Sequence, residues 1–350
     1  MRRTTISAAV AALLAFPGSA LAAGGWSIAA GSPYPGSLEG ISCTSPSWCA
    51  AVGSRDNFDT LVENWNGHKW TAQPSPGKGL LYSVACADRK ACWAVGTEGV
   101  RSLMERWNGG GWHLVRSSPA ISTLSGVTCH GPSFCVAVGH STPDAAILTW
   151  DGRTWSKTVT VADSYGAYLN SVSCTSSRFC IAVGSAIVSQ SVAMSPIAEI
   201  WNGKQWTSIA PLPDHGHRTI LEGISCTTDK SCVAVGQVNS NGSFAELWNG
   251  RAWIYTPKVP NPPGAGVSLN SVMCDASTNC VAVGDTSTSS PRSASVIEGW
   301  NGHTWHLEVS PRTGRYCTLS GVSLSSSLGA VVGGYGSSVE SERSLVERGT

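Results

Sequence analysis

The densest group of chemically capable side chains in the sequence is the run Asp214-His215-Gly216-His217-Arg218. Its two histidines could ligate a metal ion, and together with the aspartate they could exchange protons near neutral pH. A solvated polar loop is the simpler interpretation, because the sequence places no third metal ligand and no catalytic partner beside them. We therefore treat Asp214, His215, His217 and Arg218 as candidate ligand-binding residues, and we expect no metal and no cofactor.

A second set of charged side chains is spread over other loops. Arg101, Asp56 and Asp144 are the next ligand-binding candidates, because a guanidinium can grip a carboxylate or sugar hydroxyls and an acid can accept hydrogen bonds from them. A glycoside hydrolase would instead need two carboxylates about 5 to 10 Å apart. The acids available for such a pair are Asp56, Asp59, Glu98, Asp144, Asp163, Asp214 and Asp285.

The elements that must position these residues come from one unit repeated seven times. The unit begins at Leu38 with LEGISC, and related starts follow at Leu81, Leu124, Leu169, Leu221, Leu269 and, in degenerate form, Leu319. Each start leads into an apolar run ending in Gly, then a variable loop, and then a segment of the type W-N-G-x-x-W. Repetition at this period is typical of solenoids and propellers.

Each unit predicts four short strands. The first alternates apolar and small residues, the second is a continuous apolar run, and the third and fourth flank W-N-G-x-x-W, where Asn-Gly supplies the positive φ angles of a tight hairpin. Four strands in about 45 residues is the size of one propeller blade. We therefore predict an all-β fold, a seven-bladed β-propeller with four-stranded blades.

The two tryptophans of each hairpin recur in six units, as does an acid two residues before the third-strand Trp position. Tryptophan is large enough to fill the gap that widens between blades toward the rim. Stacking of sugars on these rings is an alternative, but side chains that recur in each unit are better explained by burial of the repeat's faces. We give the same structural interpretation to Glu63, Glu105, Glu199, Glu246, Glu298 and Glu347.

Twelve of the thirteen cysteines form six pairs of constant Cys-x5-Cys spacing. Each pair flanks the turn between the first two strands, which brings the Cα atoms within disulfide range. Metal binding is the alternative, but no histidine recurs at a ligand position, and disulfides are usual in exported chains. We predict six local disulfides: Cys43 with Cys49, Cys86 with Cys92, Cys129 with Cys135, Cys174 with Cys180, Cys226 with Cys232 and Cys274 with Cys280.

The seventh unit lacks a fourth strand, because Leu345-Val346-Glu347-Arg348 matches a third strand and the sequence stops at Thr350. The segment from Gly25 to Ala30, which contains Trp26, resembles the fourth-strand segment around Trp70. We predict that this N-terminal strand completes blade seven. Such closure covers two sheet edges that would otherwise pair with other chains.

Residues 1–23 have the order of a secretory signal peptide, with Arg2 and Arg3 before an apolar run and a small-residue stretch after it. Residues 24–350 then form a single propeller domain. Without the two arginines the chain carries 21 basic and 22 acidic side chains, a net charge of about −1, and no basic stripe points to nucleic acid. No later segment has the roughly 18 apolar residues of a membrane span. We expect a secreted, extracellular monomer.

The repeat also resembles known propeller families. The turn Asp151-Gly152-Arg153-Thr154-Trp155 is similar to that of Asp-box propellers, although one residue is missing between the acid and the Gly. The unit is distantly similar to kelch-type propellers as well. The combination of Cys-x5-Cys, A-V-G and W-N-G-x-x-W more closely resembles a family of exported β-propeller repeat proteins of actinobacteria. This resemblance spans nearly all of residues 24–350, and it implies the fold and no particular activity.

Cys317 is the odd cysteine, and it stands beside Tyr316 in the degenerate seventh unit. We expect a thiol there, left in a repeat that has drifted from the pattern, although an intermolecular link is an alternative. Copper-radical oxidases built on kelch propellers use a crosslinked Tyr and Cys with further Tyr and His ligands. No motif in this chain announces such a ligand set.

Three functional classes follow from these observations. The first is a binding module whose variable loops meet a glycan, a cell-wall polysaccharide or an extracellular protein. The second is a carbohydrate-active hydrolase or lyase with a carboxylate site, and the third is a copper or other metal oxidase. The variable loops are rich in Ser, Gly, Thr and Pro rather than in paired acids, which favours binding. These loops share one face, opposite the Cys-x5-Cys and W-N-G turns, and we place function on that face near the central channel.

Overall fold

The computed structural model describes residues 26–29, 34–55, 57–116, 119, 121–160, 166–187, 194–211, 218–239, 242–262, 265–287, 293–310, 316–325, 328–336 and 343–349. Within these ranges the chain forms strands and turns and has no helix, so no described helix could span a bilayer. The strands form seven antiparallel sheets of four strands each. The prediction of an all-β, seven-bladed propeller is confirmed.

The strands follow the repeat closely. In chain order they are β1 (Ser27–Ile28), β2 (Ser37–Ser45), β3 (Trp48–Ser54), β4 (Thr60–Trp65), β5 (Trp70–Ala72), β6 (Leu80–Asp88), β7 (Ala91–Glu98), β8 (Arg101–Trp107), β9 (Trp112–Leu114), β10 (Thr123–Cys129), β11 (Cys135–Ser141), β12 (Asp144–Trp150), β13 (Trp155–Thr160), β14 (Ala167–Ser176), β15 (Phe179–Ile187), β16 (Met194–Trp201), β17 (Trp206–Ile209), β18 (Thr219–Thr228), β19 (Ser231–Val238), β20 (Gly242–Trp248), β21 (Trp253–Tyr255), β22 (Gly266–Ala276), β23 (Asn279–Ser287), β24 (Ser295–Trp300), β25 (Trp305–Glu308), β26 (Tyr316–Ser325), β27 (Leu328–Gly336) and β28 (Arg343–Gly349). Blades 1 to 6 are successive groups of four from β2 to β25, and blade 7 consists of β26, β27, β28 and β1.

The first strand of each blade lies innermost, where neighbouring first strands contact one another around the ring. The leucine that opens each repeat is fully buried in all seven blades, as Leu38 is in blade 1. Because successive strands are antiparallel, the Cys-x5-Cys and W-N-G turns lie on one face of the disc. The loops between second and third strands and the connections between blades lie on the other, which we call the loop face.

One row of residues crosses each of the first six blades at the same level. In blade 1, Cys43 pairs with Cys49, Cys49 with Trp65, and Trp65 with Trp70. The Cys43–Cys49 disulfide joins Cα atoms 4.0 Å apart, and the indole N–H of Trp65 donates to the carbonyl of Pro46, 3.0 Å away, inside the same turn. All six predicted disulfides are present, and Cys317 is buried outside them.

The tryptophan pairs pack between blades, as predicted. Trp65 and Trp70, with ring centroids 5.8 Å apart, share a core cluster with Val332 and Val346 of blade 7. The pair in blade 3 packs in the same way against Trp93 of blade 2. Each blade therefore buries its outer strands against the preceding blade, which accounts for the recurrence of these aromatic side chains.

The N-terminal strand completes blade 7, as predicted. Ser27 pairs with Arg348 and Ile28 with Glu347. Trp26 is 9% exposed and packs with residues of blades 6 and 7, and its indole N–H donates to Oε2 of Glu308 at 2.6 Å. Trp26 thus occupies the place that the second tryptophan of the hairpin occupies in the other blades.

The acid that precedes the third-strand Trp position is buried in every blade that has it. Glu105 accepts hydrogen bonds from the backbone N–H of Gly77 at 3.0 Å and from Oγ of Ser75 at 2.8 Å, both in the connection from blade 1. Glu347 accepts from Oγ of Ser310 at 3.0 Å, in the connection from blade 6. These two glutamates fasten the incoming connection to the blade, which agrees with the predicted structural role.

Burial raises the pKa of two of these acids into the neutral range. The pKa of Glu298 rises from 4.5 to about 8 through burial and the nearby charge of Glu308, and burial raises that of Glu347 to about 7. Their carboxyls ionise at a lower pH in the unfolded chain. Their contribution to stability is therefore complete below about pH 4.5 and is lost as the pH rises through about 7 to 8.

We expect Trp26→Ala to lower the free energy of unfolding by about 3 to 5 kcal/mol, because it empties a buried indole site at the ring closure. Denaturant unfolding monitored by fluorescence measures the change. Ile28→Thr, on the exposed face of the same strand, should change stability by less than about 0.5 kcal/mol. Equal effects of the two substitutions would contradict the closing role of Trp26.

We expect Glu298→Gln to melt at a higher temperature than the parent chain at alkaline pH, because the amide cannot ionise in its buried site. The difference in melting temperature should grow as the pH rises from about 5 to about 9. Glu98→Gln removes an exposed carboxyl and serves as the control. Its melting temperature should differ from that of the parent chain by the same amount at each pH. A flat difference for Glu298→Gln too would show that Glu298 does not titrate as described.

Candidate functional site

The mouth of the central channel is shaped by one irregularity that all seven blades share. In each blade, pairing of the first two strands skips the residue after the buried leucine, as between Leu38 and Gly40. A β-bulge of this kind re-aims the side chain of the extra residue. The bulged residues are Glu39, Tyr82, Ser125, Asn170, Glu222, Asn270 and Ser320, and all seven line the channel. We call them the bulge ring.

Close backbone contacts keep two neighbouring positions small, while the bulged position varies. A Cβ on Gly53, the glycine of A-V-G in blade 1, would lie 2.0 Å from the carbonyl oxygen of Ser37. A Cβ on Gly40 would lie 2.9 Å from Cα of Ser83 in the next blade. The repeat must therefore keep small residues at both places. The bulged side chain projects into open space, so its identity is free to differ from blade to blade.

Hydroxyls farther along the channel fasten the inner strand of four blades to that of the next blade. They accept hydrogen bonds from the backbone N–H of the first cysteine in the following blade, over 2.9 to 3.1 Å. The pairs are Ser323 with Cys43, Ser42 with Cys86, Ser173 with Cys226 and Ser225 with Cys274. These contacts hold the blades in register, and with them the side chains of the bulge ring.

The mouth on the loop face is a cavity of about 610 Å³. Besides the bulge ring its lining includes His140 and Tyr168, whose rings meet edge to face with centroids 4.8 Å apart. Met194 and Ile220 supply an apolar side. The described lining contains two glutamates and no Lys or Arg, so the mouth offers hydrogen-bond acceptors, amides and aromatic rings in an acidic setting.

Hydrogen bonds between blades hold several of these groups in place. The Nδ2 of Asn170 donates to Oε2 of Glu222 in the next blade at 3.0 Å. The Nδ2 of Asn270 donates to Oδ1 of Asp285 at 3.1 Å and to the carbonyl of Leu319 in blade 7 at 3.0 Å. The site is therefore ordered before a ligand arrives, which reduces the entropy lost on binding.

Burial shifts four groups in or beside the mouth toward their neutral forms. Burial raises the pKa of Glu222, against a hydrogen bond from Gln237, and that of Asp285, against one from Asn270. Burial, with the charge of Glu39 adding to it, also raises the pKa of Tyr82. Burial lowers the pKa of His140. An environment that disfavours charge suits an uncharged ligand that hydrogen-bonds.

The sequence-predicted site residues lie in several places. Arg218 directly precedes β18, and its Nη2 is 3.3 Å from Sδ of Met194, which lines the mouth. Arg101 and Asp144 begin strands β8 and β12 on the loop face. Four candidates lie outside the described residues: Asp56, Asp214, His215 and His217. Ligand binding by all seven stays a prediction.

The acids considered for a hydrolase are equally dispersed. Asp163 lies outside the described residues, as Asp56 and Asp214 do. Asp59 accepts from Nδ2 of Asn57 at 2.7 Å, in the loop of blade 1. Asp285 contacts the bulge ring through Asn270. In the described part of the chain, no three His, Cys, Asp or Glu side chains gather as a metal site, so the oxidase hypothesis has no ligand set there.

The sequence did contain a signal for the bulge ring. The first strand reads LEGISC, LYSVAC, LSGVTC, LNSVSC, LEGISC, LNSVMC and LSGVSL, and the residue after the leucine changes between Glu, Tyr, Ser and Asn. A polar position that varies inside an otherwise regular motif indicates individuality at that point of each blade. Simple strand alternation does not predict that these side chains share one cavity.

No protein-family model matches the chain, and no curated protein does. Among solved structures, it is similar to YCF48 bound to D1 peptide, with a TM-score of 0.60 and 16% identity over 95% of this chain and 99% of that one. It is also similar to the GH74 xyloglucanase from Xanthomonas campestris, with a TM-score of 0.58 and 14% identity over 89% of this chain and 53% of that one.

A third similar structure is the SapL1 lectin in complex with alpha methyl fucoside, with a TM-score of 0.53 and 12% identity over 80% of this chain and 98% of that one. At such identities the likeness is one of fold. The chain is a seven-bladed β-propeller in which six blades each contain an internal disulfide. Its structural neighbours include a hydrolase and binding proteins.

We expect Asn270→Ala to raise the pKa of Asp285 further, because it removes the hydrogen bond that opposes the effect of burial. A carboxyl NMR titration of Asp285 measures the shift. Asn279→Ala is the matched control and should leave the pKa of Asp285 unchanged. It removes an amide that donates to the exposed Asp275 at 2.8 Å on the opposite face. An unchanged pKa of Asp285 in a folded Asn270→Ala protein would contradict the described contact.

Proposed function

We propose that this chain is a secreted binding module whose channel mouth binds a neutral, hydroxyl-rich glycan. The observation that carries the proposal is the bulge ring, in which two Glu, two Asn, two Ser and one Tyr side chain face one cavity whose described lining has no Lys or Arg. The six disulfides indicate an oxidising, extracellular environment. Such an environment is where a glycan-binding protein of this kind would meet its ligand.

The chemistry of the mouth suits sugar hydroxyls. The carboxylates of Glu39 and Glu222 can each accept hydrogen bonds from two hydroxyls, and the amide of Asn170 can donate and accept. Tyr82 and Tyr168 offer aromatic surface to the apolar face of a sugar ring. A volume of about 610 Å³ lies within the range of small-ligand sites.

The structural neighbours are compatible with this ligand class. One is a xyloglucanase and another is a lectin in complex with a fucoside. A third is bound to a peptide, and an extracellular protein is therefore the alternative partner. We favour the glycan, because the mouth consists of separate polar groups around a cavity rather than a continuous apolar patch.

A carbohydrate-active hydrolase is the second candidate, and the raised pKa of Glu222 favours it, as a general acid must hold its proton. Glycosidases also need a partner carboxylate whose pKa is pushed the other way. Asp285, on the neighbouring blade, is instead raised by burial as Glu222 is. We therefore place binding ahead of hydrolysis.

A panel of neutral oligosaccharides that includes the cello- and N-acetylchito-oligosaccharides tests the proposal by calorimetry. Glu222→Gln should weaken binding at least tenfold, because it removes charge-assisted hydrogen bonds of about 1.5 to 3 kcal/mol. Tyr82→Ala should weaken it as well. Arg153→Ala, in the turn on the opposite face, should leave the affinity unchanged. Unchanged affinity in folded Glu222→Gln and Tyr82→Ala would contradict the proposal, as would failure of the whole panel to bind.

Two further measurements distinguish the alternatives. Release of reducing ends by the parent chain and not by Glu222→Gln would show hydrolysis instead of simple binding. The triple replacement of Asp214, His215 and His217 with Ala, checked for folding by its melting temperature, would show whether that loop belongs to the site. Loss of affinity would include it, and unchanged affinity would exclude it.

A further inference from the structure

Phe58, in the loop between β3 and β4 of blade 1, combines two unfavourable features. Its side chain is 68% exposed, and its backbone has a φ of +60°. The left-handed region is disfavoured for a bulky residue, which glycine or asparagine would occupy with less strain. An aromatic side chain that stays in solvent contributes little to the stability of the fold. Strain that persists without a packing benefit points to a functional role.

Backbone hydrogen bonds hold Phe58 in this conformation. The N–H of Phe58 donates to the carbonyl of Arg55 at 3.0 Å, and the N–H of Arg55 donates to the carbonyl of Asp59 at 2.8 Å. The carbonyl of Phe58 in turn accepts from the N–H of Gly79 at 2.7 Å. Hydrogen bonds on both sides therefore fix the backbone that carries the aromatic ring.

Gly79 also packs against the next loop, in blade 2, which carries another exposed apolar residue. A Cβ on Gly79 would lie 2.1 Å from the carbonyl oxygen of Thr97 and 3.1 Å from Cα of Glu98, which belong to the β7–β8 hairpin of blade 2. Val100, at the tip of this hairpin, is 86% exposed. Val100 and the neighbouring Arg101, which is exposed too, line a separate cavity with Leu114 and Arg116 on the side of blade 3.

Gly79 also connects the Phe58 loop to the channel mouth. Gly79 directly precedes β6, and Tyr82 of the bulge ring lies three residues farther along. A strand rises about 3.3 Å per residue, so the Phe58 loop meets the chain about 10 Å from Tyr82. An oligosaccharide of a few units can span such a distance.

We propose that Phe58 forms a second subsite for the glycan, outside the mouth, where one sugar ring stacks on the Phe58 side chain. This inference rests on the proposed function and adds that the ligand is an extended chain, which runs from the mouth to the Phe58 loop of blade 1. Continuity with the mouth and the aromatic platform favour a sugar over an apolar protein segment.

Calorimetry with glucose to cellotetraose, and with the N-acetylchito series of one to four units, tests the subsite. The parent chain should bind the tri- and tetrasaccharides at least fivefold more tightly than the disaccharide. Phe58→Ala should remove this advantage of length and leave the disaccharide affinity unchanged. Ile254→Ala, which truncates an exposed apolar side chain on the outer strand of blade 5, is the control and should retain the advantage. Phe58→Gly should raise the melting temperature, because glycine relieves the strained φ.

The outcomes separate the subsite from the mouth. Short saccharides that bind through Glu222, combined with an equal gain from length in Phe58→Ala and the parent chain, would overturn the subsite alone. Failure of all saccharides to bind would overturn the proposed function and the subsite with it. A melting temperature that falls in Phe58→Gly would overturn the claim that Phe58 is kept at the expense of stability.

Discussion

The architecture depends on how closely the seven inner strands approach one another around the axis. At the residue after the bulge, neighbouring backbones are so near that a Cβ on Gly126 would lie 2.8 Å from the carbonyl oxygen of Asn170. The alternating Gly and Ser at this level satisfy that constraint, and serine hydroxyls add hydrogen bonds between blades, as Ser83 does to the N–H of Val127 at 3.2 Å. Close approach keeps the residues at this level small, while the bulged position beside them faces the channel and varies from blade to blade.

The two faces of the disc have different roles. On one, the disulfide, the indole of the first tryptophan and the W-N-G turn hold each of blades 1 to 6 in the same way, as Cys43, Cys49 and Trp65 do in blade 1. On the other, the loops and the bulge ring differ from blade to blade. The repeated disulfides and turns on one face stabilise the scaffold that carries the variable side chains on the other face. Binding sites on repeat folds commonly arise in this way.

Most of the fold could be predicted because its determinants are local in sequence. Cys-x5-Cys and W-N-G-x-x-W mark turns directly, and the period of the repeat gives the number of blades. Trp26 could be assigned to blade 7 because its surroundings resemble the fourth strand around Trp70. The tryptophans and the buried glutamates were interpreted correctly for the same reason, since recurrence itself indicates packing.

The variable residue after each leucine is visible in the sequence, but its orientation into one shared cavity could not be predicted, because a bulge changes the parity of a strand without a clear mark in the sequence. Glu39 and Glu222 would be taken for ordinary solvent-facing strand residues. The raised pKa values of Glu298 and Glu347 depend on burial by connections from other blades, which no local pattern reveals. Phe58 is likewise inconspicuous in the sequence, and only its backbone angle and exposure distinguish it.

The closure of blade 7 sets an order of assembly. Each of blades 1 to 6 is a run of consecutive hairpins that can pair, and form its disulfide, as soon as its own segment is available. Strand β1 precedes blade 1 in the chain, yet its partner β28 follows blade 6. Contacts between such distant segments form slowly. Blades 1 to 6 can therefore assemble in sequence while the ring stays open, until the two ends of the domain meet in a single sheet.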